Sequence, residues 1–150
     1  MNIKTSVTII STNLNKNILN NYKNYHIIDD NFTYQELLQY GKVIFFNVLN
    51  NLEKEELDKL FKYLKNNNIE YINIVNNLEL CLYSNYLIVM DEFKILIEGN
   101  TIEVLKNDKL LKRLGFKLPF IIELSLLLKD YNLIDKIYLD KESIEGALWN

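Results

Sequence analysis

The stretch KVIFFNVLNNLEKEELDKLFKYLKNNNIEYINIVN, residues 42–76, decides how this chain folds. It opens on Lys42–Phe46, a continuous apolar run bounded by polar residues, which reads as a buried strand. From Asn51 to about Lys65 the period changes. Leu57, Leu60, Phe61 and Leu64 recur at helical spacing as one stripe, while Glu53, Lys54, Glu55, Glu56, Lys62 and Lys65 mostly take the wet side. Glu70–Val75 then returns to a strand pattern. Strand, amphipathic helix and strand in succession make one α/β unit.

The same rhythm extends in both directions. Lys4–Ile10 is β-branched and reads as a strand; after the polar break Ser11–Asn13, Leu14, Ile18 and Leu19 recur at helical spacing to about Tyr22. Tyr25–Ile28 predicts a short strand closed by Asp29-Asp30. Thr33 with Glu36 predicts a capping box, and Gly41 the end of that helix. Downstream, Leu78–Leu82 suggests a short helix, Tyr86–Met90 a buried strand, Asp91–Lys94 a turn and Ile95–Glu98 its hairpin partner. The predicted class is α/β: a mostly parallel sheet with helices on both faces, followed by a helical extension. The core spans residues 1–100 and the extension residues 101–150. Helices are expected over Thr101–Asn107, around Leu110, Leu111 and Leu114, from Pro119 through FIIELSLLLKDY, and from Asp140 to Trp149, with a short segment at Lys136–Leu139. The extension has more apolar surface than a short appendage needs, so it either packs on the sheet or meets another chain. Ligands of such sheets bind at the carboxyl ends of the strands, here near Ser11, Asn47 and Asn76.

Composition excludes several classes. The 150 residues are 49% hydrophobic with a net charge of −3, the profile of a globular chain. Basic residues are scattered among acidic ones, which argues against nucleic acid as a partner. No apolar run is long enough to span a bilayer and the start does not read as a signal peptide, so the expectation is a cytoplasmic protein without direct membrane insertion. A single cysteine, Cys81, excludes an intrachain disulfide and a cysteine-based zinc site. One histidine, His26, removes most histidine-dependent chemistry, and no carboxylate partner for it is evident in the sequence. The pairs Asp29-Asp30 and Asp91-Glu92 read as solvated turns rather than a metal site or an acid–base pair. Cys81, between Leu80 and Leu82, reads as a buried thiol, and Ser11 lacks a nucleophile elbow.

From Lys42 to about Asp130 the order of weak motifs resembles the second half of an ATP-binding cassette ATPase, most closely the energy-coupling-factor type. The resemblance implies a P-loop-NTPase-like core. The family carries an apolar strand followed by Asp-Glu-Pro; here Val43-Ile44-Phe45-Phe46 is followed by Asn47-Val48-Leu49. In the family the aspartate supports the nucleotide's Mg²⁺ and the glutamate polarises the attacking water. Asn47 has no charge and Val48 accepts no proton. Asn51-Leu52-Glu53 resembles the following Leu-Asp motif, and Ile72–Val75 runs into Asn76-Asn77-Leu78-Glu79, with Asn76 where the γ-phosphate-sensing histidine would stand. The match continues through YLIVMD, the hairpin to Gly99, Thr101–Leu105, Leu110–Gly115 and Leu118-Pro119. Phe93 replaces the family's hairpin glycine, which implies a changed turn. The last stretch resembles the carboxyl-terminal extension that helps two cassettes dimerise.

The amino-terminal part departs further. VTII-STNLNKN-ILNN has a strand, a polar loop, Lys16 and a helical segment, but no glycine where a phosphate-binding loop needs several. Neither the helical subdomain nor the Ser-Gly-Gly signature lies between Lys16 and Asn47. The implied role is a non-catalytic, structural or regulatory one, with no obligate cofactor. The partner is a second copy or an active cassette subunit, met through Leu110, Leu111, Leu114, Leu124 and Leu128. The alternatives are weak ATP binding through the remnants Lys16, Asn47 and Asn76, and an unrelated small α/β interaction protein.

Overall fold

The computed structural model describes residues 6–149. Among the described residues six strands and six α-helices form, with two 3-10 turns between them. The strands are β1 (Ser6–Ser11), β2 (His26–Ile28), β3 (Lys42–Phe46), β4 (Glu70–Val75), β5 (Tyr86–Asp91) and β6 (Lys94–Asn100). The helices are α1 (Tyr34–Tyr40), α2 (Lys54–Asn66), α3 (Thr101–Leu105), α4 (Asp108–Arg113), α5 (Phe120–Asp130) and α6 (Lys141–Trp149). Lys4 and Thr5 of the expected first strand lie outside the described residues.

The strands make one sheet in the order β2-β3-β4-β1-β5-β6. All pairs are parallel except β5 with β6, which form an antiparallel hairpin. The α/β class and mostly parallel sheet expected from the alternation are therefore present. β4 is inserted between β3 and β1, so the central strands are buried along nearly their whole length. That burial explains why they read as continuous apolar runs rather than alternating ones.

Helical cover lies on both faces but unequally. One face gathers Ile10, Val43, Phe45, Tyr71, Val75, Leu87 and Val89 with the buried stripes of α1 to α5. The other gathers Val7, Ile9, Ile44, Ile72, Ile74, Ile88 and Met90 under a single six-residue 3-10 turn, Lys16–Asn21, that contributes Ile18. Leu14, Leu19, Tyr22 and Tyr25 complete that second layer. The expected stripe on α2 is the one observed: Leu57, Leu60, Phe61 and Leu64 are all buried. Residues of the extension share the larger core. Leu105, Leu111 and Ile122 are fully enclosed in it, so the extension packs on the sheet. Segment 136–139 is tied to α5 by the Tyr138 N–H, which donates to Ser125 Oγ at 2.8 Å.

Several ends differ from the local reading. Thr33 Oγ1 accepts from the Glu36 N–H at 3.2 Å, as a cap should. The Glu36 carboxylate does not return to the cap; it meets His26 Nε2 at 3.0 Å, and the His26 ring stacks on Tyr40 at 3.5 Å. His26 thus has the carboxylate partner that was not evident in the sequence, because β2 and α1 become neighbours only in the fold. The long helix starts at Lys54 rather than Asn51, since Leu49–Leu52 closes a turn first and the Glu53 N–H is capped by the Glu56 carboxylate at 3.2 Å. In the hairpin the left-handed residue is Glu92, at φ 54°, and Phe93 does not need that conformation. A register shift between Val89 and Met90 bulges the hairpin and blunts its outer edge.

Candidate functional site

The carboxyl ends of β3, β4 and β1 lie side by side, because β4 sits between the other two. The sequence therefore places Asn47 and Asn76 on adjacent strand ends, with Ser11 beyond them. Asn47 leaves β3 in the left-handed region at φ 56°, a conformation asparagine tolerates better than most residues. Its N–H donates to the Ile74 carbonyl at 2.8 Å, which carries the β3–β4 ladder one residue further.

The side chains then close on one another. The Asn50 amide N–H donates to Asn47 Oδ1, and Asn77 Nδ2 donates to Asn50 Oδ1 at 3.3 Å. Asn77 Oδ1 accepts the Glu79 N–H at 3.1 Å and starts the 3-10 turn Glu79–Tyr83. All three amide oxygens are thereby engaged within the protein. Asn76, one residue before Asn77, is exposed, and its side chain takes no part in this network. Lys16 is exposed at the start of the turn Lys16–Asn21, and no hydrogen bond or ion pair among the described residues joins it to Asn47 or Asn76.

A Mg²⁺-nucleotide does not fit this set. Mg²⁺ in such sites is held by carboxylates, whereas these asparagines are neutral and the Oδ1 atoms of Asn47, Asn50 and Asn77 each already accept a hydrogen bond. The phosphates would need a concave run of backbone N–H groups. The loop after β1 has no left-handed residue between Ser11 and Asn21. Instead Ser11 Oγ turns back on Asn13, and Asn15 Oδ1 accepts the Asn17 N–H at 2.9 Å. What the arrangement does is cap strand ends and fix the turns that leave them.

A cleft of about 920 Å³ lies at the opposite end of the sheet. Ser6 at the start of β1, Glu70 and Tyr71 at the start of β4, and Asn85 just before β5 line it, with the inner side of α2 as one wall. Phe61 and Tyr83 stack there at 4.4 Å, and Tyr71 lies 5.2 Å from Phe61. The Tyr71 hydroxyl donates to the Tyr83 carbonyl and the Tyr83 hydroxyl to Asp58 Oδ1, the latter at 2.6 Å. That second bond holds the Asp58 carboxyl below its usual range, while burial pushes the Tyr71 hydroxyl up. None of these residues was singled out from the sequence as a site, since no motif links segments so far apart. Cys81, within the Glu79–Tyr83 turn, is buried, as expected, and burial pushes its thiol up to about 12.

A third feature is the outer side of α5. Phe120, Leu127 and Tyr131 are 73%, 52% and 70% exposed, with Leu124 and Leu128 half-buried between them. The spacing of 120, 124, 127, 128 and 131 puts all five on one side of the helix. Leu133 and Trp149 add exposed apolar surface. Of the five leucines expected to meet a partner, Leu111 is fully enclosed in the core and has no surface to offer, while Leu110, Leu114, Leu124 and Leu128 are half-buried. Helical periodicity marks an apolar face without saying what covers it; here the sheet takes Leu111.

No protein-family model matches the chain. Among curated proteins it is 30% identical over 99 residues to the energy-coupling factor transporter ATP-binding protein EcfA1 of Lactobacillus delbrueckii subsp. bulgaricus, covering 65% of this chain and 35% of that protein. The protein of the same name from Bacillus subtilis is 30% identical over 105 residues, covering 69% of this chain and 37% of its own length. The chain thus spans little more than a third of the length of these relatives. Among solved structures, cbiO1 from Clostridium perfringens, described as part of the ABC transporter complex cbiONQ, overlays with a TM-score of 0.38 at 19% identity, over 49% of this chain and 31% of that one. Over about two-thirds of its own length this chain is similar to the ATP-binding proteins of energy-coupling-factor transporters.

Proposed function

We propose that this protein is a non-catalytic relative of ABC transporter ATPases that works by association, pairing with itself or with the ATP-binding subunit of an ABC transporter. The observation that carries this reading is the outward apolar stripe of α5, Phe120, Leu124, Leu127, Leu128 and Tyr131, left over after the extension has packed on the sheet. Contiguous exposed aromatic and aliphatic side chains of this kind mark interaction surfaces. The similarity to transporter ATP-binding proteins supports the choice of partner. No helix among the described residues is long and apolar enough to cross a membrane.

Size-exclusion chromatography with light scattering tests the pairing. The expected mass is twice the 17.8 kDa of the chain, or a complex with a co-purified energy-coupling-factor ATP-binding protein. Leu127→Asp, at a 52% exposed position, should reduce the assembly to single chains without loss of helicity. A protein that stays a single chain at its highest soluble concentration and does not co-elute with such a subunit would sink the reading.

The same reading requires that nucleotide is not what the chain works on. Titration with millimolar Mg-ATP is expected to give no saturable heat and no rise in the unfolding midpoint. A ligand present at about 100 times its Kd stabilises a fold by about 2.7 kcal/mol, so even modest affinity would register. A clear midpoint shift that Lys16→Ala abolishes would instead establish the weak nucleotide-binding role.

A further inference from the structure

The cleft at the amino ends of the strands has a charge balance that selects a ligand class. Its two carboxylates are both engaged. Asp58 accepts from Tyr83 at 2.6 Å and from Lys54 at 3.2 Å. Glu70 accepts from the Tyr25 hydroxyl at 3.3 Å and lies 4.0 Å from Lys42. Its two lysines, Lys62 and Lys65, are one helical turn apart on α2, and neither has an ion-pair partner among the described residues. Uncompensated charge at the mouth is therefore positive. Behind the mouth, Phe61, Tyr71, Tyr83 and Leu139 offer an aromatic and aliphatic interior, and the volume of about 920 Å³ lies in the range of small-molecule sites.

We infer that this cleft binds a small amphipathic anion: an apolar body seated against Phe61, Tyr71 and Tyr83, with a carboxylate or similar head between Lys62 and Lys65. The site is separate from the strand ends that carry Asn47 and Asn76, and it stands or falls apart from the pairing surface on α5. Lys62 and Lys65 are exposed and flexible, so they can close on a head group without disturbing the core. The apolar body supplies affinity by leaving water, and the lysines supply the choice of sign.

Calorimetric titration of the full chain with decanoate, and with a decyl-trimethylammonium salt of equal chain length, tests the inference. Decanoate is expected to bind saturably at one site, and the cation at least tenfold more weakly. The double variant Lys62→Glu/Lys65→Glu should lose decanoate binding tenfold or more while its circular dichroism and unfolding midpoint stay unchanged. Tyr83→Ala should weaken decanoate binding, since it removes part of the apolar wall and one partner of Asp58; Leu127→Asp on α5 should leave decanoate binding as it was. Equal affinity for the two head groups, or decanoate binding untouched by the lysine double variant, would overturn the assignment, as would a titration that never saturates.

Discussion

Replacing Asn73 with leucine is expected to stabilise the fold by about 1–3 kcal/mol, and replacing it with aspartate to destabilise it by more than about 3 kcal/mol. Asn73 is 0% exposed in the middle of β4, the strand between β3 and β1. Its neighbours in register are Phe45 on one side and Thr8 on the other. The Thr8 hydroxyl is paired with the Ser84 hydroxyl at 2.7 Å, and neither Asn73 Nδ2 nor Oδ1 has a hydrogen-bond partner among the described residues. A buried amide with no partner forfeits its hydration without recompense. Leucine keeps the branching at Cγ and removes the polar atoms, so the desolvation penalty disappears. Aspartate keeps the shape and adds a charge with no cation beside it. At roughly 2–4 °C per kcal/mol for a chain of this length, leucine should raise the unfolding midpoint by several degrees. A leucine variant less stable than the parent in urea would show that the Asn73 amide is satisfied in solution.

Phe45→Ala is expected to destabilise the protein by about 3–5 kcal/mol. Phe45 is 0% exposed and is among the largest side chains of the core. Its ring meets Phe32 edge-on at 5.6 Å and Tyr71 at 6.5 Å, and Tyr71 in turn meets Phe61 on α2. Truncation removes the apolar transfer term and leaves a cavity that three different elements would have to fill. Phe46→Ala, the next residue on the same strand, is the comparison. Phe46 faces the thinner layer and is only half-buried, so it should lose clearly less. Urea midpoints for the two variants check this directly, with the denaturant dependence unchanged if both unfold in one step. A loss at Phe45 no greater than at Phe46 would mean that the two faces contribute equally.

The elements were legible because their signals are local. The apolar run of Lys42–Phe46 and the stripe Leu57, Leu60, Phe61 and Leu64 depend on spacing within one segment, and both are observed. The boundaries were less legible: Glu53 rather than Asn51 precedes the long helix, and Glu36 serves His26 rather than its own cap, because each side chain had more than one partner within reach. The strand-end asparagines Asn47 and Asn76 were visible as positions where the resemblance implies an aspartate and a histidine. Their present task was not. Asn47 holds a left-handed turn and passes hydrogen bonds through Asn50 to Asn77, and that chain exists only because β3 and β4 end side by side.

By itself the sequence determined the α/β alternation, the apolar stripes and the absence of charge at Asn47, Val48 and Asn76. Periodicity and residue chemistry are properties of neighbours along the chain, so one strand of text carries them. Tertiary structure alone decided the strand order, the inward turn of Leu111, the outward stripe of α5, the full burial of the Asn73 amide and the aromatic cleft beneath α2. Each of these is a choice among several apolar or polar surfaces that could have met. Packing makes that choice by joining residues dozens of positions apart, as Thr8 and Ser84 are.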